Sequence, residues 1–125
     1  MTAAGSRLEP RIRRLADEAR ERREATPVAS SPRAETPPEA MEMLREGLAP
    51  VVSAYVEART GEMVRLSSSE LDLLHRATND WLTCYARCHG VDADPDVTVR
   101  EAAEHVISTH HIGDTAALLT GVPER

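Results

Sequence analysis

The chain contains no lysine. All fifteen of its basic residues are arginine, which removes the phosphate-gripping lysine of a P-loop, the amine of a Schiff base and a lysine general base together. Phenylalanine is missing too, and one Trp and two Tyr are the whole aromatic complement of 125 residues. Few large side chains are on hand to fill a core, so apolar content comes from Ala, Leu and Val. Lys, Phe, Ile and Asn are scarce together, which points to GC-rich coding bias rather than to a function. The two cysteines, Cys84 and Cys88, fit free thiols in a reducing compartment rather than a disulfide framework. No apolar run approaches the roughly 20 residues that span a bilayer, and the N-terminus lacks the apolar stretch of a secretory signal. A cytoplasmic protein with no membrane partner is expected.

Charge is unevenly spread. The formal net charge is −6, yet residues 1–38 carry eight Arg against six acids, which leaves the remainder strongly acidic. An acidic body repels nucleic-acid phosphate, and only the N-terminal part could oppose that. At this length a chain forms one small domain with a modest core, and association with a partner would add to its stability.

The clearest pattern runs from Ser67 to Gly90. Ser67 and Glu70 have the spacing of a capping box, in which the serine accepts from an orphan amide and the glutamate reaches back. Gly90 supplies the left-handed residue that stops a helix. Between them Leu71, Leu74, Thr78, Trp81, Tyr85 and Cys88 recur at steps of three and four on one face. Asp72, Arg76, Asn79, Thr83 and Arg87 form the opposite, polar side.

Elsewhere the reading is also helical. Residues 1–25 are expected to form a charged, solvated arm with a thin apolar stripe of Ile12, Leu15, Ala16 and Ala19. Pairs such as Glu9 with Arg13 and Arg14 with Glu18 support it in water. Residues 26–38 hold four prolines and read as an extended linker, with Ser31 and Thr36 before prolines as phosphorylation candidates. The folded part then spans 39–123. Its first helix should cover about 38–47, break at Gly47 and Pro50, and resume from Pro50 to Gly61. A short extended piece, Glu62 to Leu66, leads into the long helix. After an acidic loop, a second capping box from Thr98 to Glu101 opens a helix ending at Gly113 with Val99, Ala102, Ala103, Val106 and Ile107 buried. Asp114 caps a last helix from Thr115 to Thr120. The fold class is all-α, a small bundle of about four to five helices with a flexible N-terminal helical arm and a Pro-rich linker.

Candidate chemistry is sparse. Cys84 and Cys88 with His110 and His111 are the residues a zinc site would use, but both cysteines fall within the apolar arc of their helix, where inert thiols sit. His75 and His89 are fourteen residues apart, about 21 Å along a helix, too far to share an ion. A redox role is disfavoured because the helix C-terminus opposes a thiolate. Asp92, Asp94 and Asp96 match the start of a calcium loop, which fails at Val97 and Ala103. His105, His110 and His111 are candidates for a pH sensor or a catalytic base, with His110 expected on the buried side and His105 outward, but no nucleophile accompanies them. The last two helices lack the length and side chains of a helix-turn-helix reader.

The reading that follows is a non-catalytic helical module for protein interaction or regulation, without cofactor, working through a protein partner or as a homo-oligomer. Its partner-binding residues would be Ile12, Leu15, Ala19, Met41, Leu44 and Leu48. The alternative is a nucleic-acid-associated regulator using Arg11, Arg13, Arg14, Arg20, Arg22 and Arg23 on phosphates, and a third reading is the zinc-stabilised bundle.

Overall fold

A computed structural model describes residues 6–30, 35–60 and 64–123. Among them there is no strand, and the helices are α1 (Glu9–Ala25), α2 (Pro38–Met43), α3 (Ala49–Thr60), α4 (Ser68–Cys88), α5 (Val99–Thr109) and α6 (Ile112–Thr120). A π-helical turn, Leu44–Leu48, joins α2 to α3 without a break in helical backbone, so the bundle has five rods. The all-α expectation is met.

The rod from 38 to 60 corrects the predicted interruption. Proline removes one amide and crowds the carbonyl four residues back. The chain relieves this with a wide turn rather than a stop: the Ala49 amide donates to the Leu44 carbonyl, five residues back, and Pro50 follows immediately. Gly47 lies in that turn for a packing reason. A Cβ there would collide with Cδ2, Cε2 and Cε3 of Trp81, so the missing side chain is what lets the indole pack against the rod.

α4 is the centre of the molecule. Both hydrogen bonds of its capping box form, with the Ser67 amide donating to Glu70 at 2.9 Å and the Glu70 amide donating to Ser67 at 3.1 Å. At the other end Gly90 adopts φ 84°. Its amide donates to the Arg87 carbonyl and the Val91 amide to that of Ala86, a full Schellman closure. Leu74, Thr78, Trp81, Tyr85 and Cys88 are buried as the pattern predicts, and Leu71 is half-buried. The polar side is not simply solvated, however. Asp80 and Thr83 are also buried, because the chain covers α4 from both sides.

One cover is α1, and here the expected solvated arm is corrected. Ile12, Ala16 and Ala19 are fully buried and Leu15 nearly so, packed against α4 in one continuous core. Burying an Ile or Leu contributes about 1.5–3 kcal/mol, whereas each Glu–Arg pair along the helix contributes a few tenths. The thin stripe therefore decides the position of α1. Two of the predicted pairs do form, Arg13 with Glu9 at 2.9 Å and Arg14 with Glu18 at 4.0 Å. Arg87 then secures the helix end, its guanidinium donating to the carbonyls of Arg23 at 2.9 Å and Thr26 at 3.1 Å. The proline-rich piece is tied down as well: Thr26 and Pro37 are buried and the Ala29 amide donates to the Arg87 carbonyl. Ser31 lies outside the described residues, as does the predicted helix end at Gly61.

The other cover is the acidic loop after Gly90. Asn79 exchanges two hydrogen bonds with the backbone of Val97, both 2.9 Å, and His75 Nδ1 accepts from the Val99 amide at 2.9 Å. These fasten the loop along α4 and set the start of α5, whose capping box from Thr98 to Glu101 forms as expected.

The predicted end of α5 at Gly113 is corrected: the helix stops at Thr109, with His110 left-handed at φ 56°. His111 then caps α6, its Nδ1 accepting from the Asp114 amide at 3.2 Å, where Asp114 itself had been the expected cap. Gly113 falls inside α6, and a Cβ there would lie 2.8 Å from the His111 ring. His110 is therefore exposed rather than buried. Ile107, expected in the core, is 61% exposed. The chain end is held by Tyr85, whose hydroxyl donates to the Val122 carbonyl at 2.7 Å.

Candidate functional site

The predicted partner-binding residues are not a surface. Ile12, Leu15, Ala19, Leu44 and Leu48 are buried and Met41 is half-buried, all within or against the chain's own core. The correction has a simple cause, since an apolar stripe needs a cover and the sequence does not say whether α4 or another molecule provides it.

The six α1 arginines are mostly taken up by acids. Arg11 pairs with Glu57, whose carboxyl is held below its ordinary range by that guanidinium. Arg13 and Arg14 pair within the helix. Arg20 and Arg23 both reach the buried Asp80, at 3.3 and 3.4 Å. The Arg20 contact is an ion pair without hydrogen-bond alignment, leaving Oδ2 of Asp80 unbonded, and burial outweighs both cations in pushing the Asp80 carboxyl pKa up. Arg22 is exposed beside Glu18, Glu21 and Glu46. A guanidinium already facing a carboxylate gains less from a phosphate, so this helix is poorly arranged as a nucleic-acid contact.

The thiols are equally occupied. Cys84 and Cys88 are buried, burial raises the Cys84 pKa, and the Cys88 sulfur lies 3.7 Å from that of Met43. His110 and His111 stand exposed at the α5–α6 junction, and Thr109 and Thr115 hydroxyls, 3.1 Å apart, help to close that turn. Among the described residues no three His, Cys, Asp or Glu side chains are placed to share a metal ion. The three aspartates of the acidic loop are exposed, with Asp92 turned to Arg87 at 3.5 Å.

One hollow, of about 440 Å³, lies where α3, the 64–66 segment, α4 and the start of α5 meet. Its apolar wall is Ala58, Val64, Leu66 and Leu71, with Tyr55 beside them. Arg59, Arg65 and Arg100 complete it and all three are exposed. Arg59 is steadied over the Tyr55 ring, 6.0 Å from its centroid. Arg100 pairs with Glu104 at 2.9 Å. Neither Arg59 nor Arg65 makes an ion pair among the described residues. His75 also lines the hollow, and because its Nδ1 accepts from Val99, the neutral ring carries its proton on Nε2 as a donor.

Sequence reading missed this place. Its arginines come from positions 59, 65 and 100, and no spacing along the chain announces that α3 and α5 bring them together. The one signal in the sequence was His75 on the longest helix, a residue that is half-buried.

The fold and hollow define a small helical domain with an apolar, cationic recess and with its thiols and most α1 charges engaged in structure. The chain belongs to the family described as Domain of unknown function (DUF8055), whose model matches residues 6–124. No curated protein and no solved structure matches it.

Proposed function

We propose that this chain is a non-catalytic helical regulatory module that works by association, and that the arginine-rimmed hollow is where it holds an anionic group of its partner. The observation that carries the reading is the pairing of Arg59 and Arg65, which have no acid partner among the described residues, with an apolar wall on a chain of net charge −6. Convergent polar groups in an apolar recess are the usual form of a binding site. The reactive candidates support the same reading, because a buried thiol of raised pKa is a poor nucleophile. No helix among the described residues is long and apolar enough to cross a membrane.

Affinity capture from the native host with the full chain and with its Arg59→Glu/Arg65→Glu variant tests this. Both changes are at exposed positions, so the variant should fold with an unaltered melting temperature. The proteins or metabolites enriched by the parent chain should be lost from the folded variant. Retention of the same set would contradict the reading.

A further inference from the structure

The anion that this hollow suits can be narrowed by its chemistry. Two guanidiniums without acid partners among the described residues, Arg59 and Arg65, flank walls made by Ala58, Val64, Leu66 and Leu71. A planar guanidinium matches both carboxylate and phosphate, so the surroundings must discriminate. Phosphate sites commonly add free backbone amides at a helix N-terminus. Of the four amides from Thr98 to Glu101 at the start of α5, three are already engaged: that of Thr98 by Glu101, that of Val99 by His75 and that of Glu101 by Thr98. The Arg100 amide alone makes no cradle for three phosphate oxygens. The apolar wall favours a ligand with a body to bury, and the volume of about 440 Å³ lies in the range of small-molecule sites.

On these grounds we infer that the hollow binds a small amphipathic carboxylate, its head between Arg59 and Arg65 and its apolar body against Leu66 and Leu71. His75 Nε2 offers a further donor on the α4 side. This rests on the proposed function and adds the class of effector to it.

The test uses the full chain, ¹⁵N-labelled, titrated with decanoate while amide spectra and heats are recorded. Decanoate should bind saturably at one site and shift the amides of Ala58, Leu66, Leu71 and Thr98. Acetate lacks the body, decanol lacks the charge and inorganic phosphate lacks both body and planar head, so each should bind at least tenfold more weakly. Arg59→Ala/Arg65→Ala should weaken decanoate at least tenfold with an unchanged melting temperature, and the milder Arg65→Gln should weaken it less. Equal binding of decanoate by the double variant would overturn the inference, as would no saturable binding, tighter binding of phosphate, or shifts confined to other helices. Host capture that depends on Arg59 and Arg65 while decanoate fails to bind would reject the effector class and leave the proposed function standing. Capture that ignores both arginines would reject that function itself.

Discussion

Two single residues show how a local choice fixes the packing of distant segments. Gly47 sits in the π turn, and its importance lies across the interface, where the Trp81 indole occupies the space of a side chain. Gly47→Ala should therefore destabilise the chain, by about 1–3 kcal/mol of overpacking, although alanine is the better helix former. Urea unfolding followed by Trp81 fluorescence measures this, and an unchanged or raised midpoint would show that the rod can shift at no cost. Glu70 is the second case. Its buried carboxylate accepts from the Ser67 amide and from both the amide and hydroxyl of Ser6, so one side chain joins the beginnings of α1 and α4. Burial opposes its charge most strongly as a single influence, but the hydrogen bonds from Ser6 and Ser67 together hold its pKa below the ordinary carboxylate range. A depressed carboxylate stabilises the fold above its unfolded pKa, and the benefit is lost as pH falls through the lower folded value. Glu70→Gln should then cost about 1–3 kcal/mol at neutral pH and flatten the loss of stability expected of the parent chain as pH falls through the carboxylate range. A variant with the parent's acid limb would contradict this role.

At the scale of elements, α1 is the one that changed meaning between sequence and structure. Its stripe of Ile12, Leu15, Ala16 and Ala19 was legible, and so were its internal ion pairs. What the residues could not disclose is that Arg20 and Arg23 face Asp80 and that Arg87 closes the helix end, since these contacts join positions about sixty apart. Removal of residues 1–25 should abolish the cooperative unfolding transition of the remainder, because Asp80 would keep its burial penalty without those two cations and the α4 face would lie bare. Circular dichroism melts decide it, and a truncated chain that melts cooperatively at the parent temperature would restore the detached arm. The ends of α4 and the start of α5 were readable for the opposite reason. Capping boxes at Ser67–Glu70 and Thr98–Glu101 and the Gly90 stop satisfy groups within a few residues, so local sequence suffices. The π turn at Leu44–Leu48 accommodates Pro50 with its Gly47 packed under Trp81 from another helix, a contact that no local spacing announces, and the α5 end depends on His110 accepting a left-handed backbone where glycine was the expected stop.

For the whole molecule, the distribution of guanidiniums is the central point. In a chain without lysine the side-chain cations apart from histidine are all arginine, and the structure separates those engaged within the bundle from those exposed at the hollow. Arg20, Arg23 and Arg87 are half-buried against Asp80 or backbone carbonyls; Arg59 and Arg65 are exposed at the hollow. The site was illegible in sequence because it is a product of this tertiary sorting, in which Val64, Leu71 and Arg100 meet only after α4 and α5 are docked through Asn79 and His75. Timed modification of the native chain with phenylglyoxal, read by peptide mass spectrometry, tests the sorting directly. Arg59 and Arg65 should react several-fold faster than Arg20, Arg23 and Arg87. Faster labelling of Arg20 and Arg23 would mean that α1 carries the available charge, contradicting both the docked helix and the binding hollow.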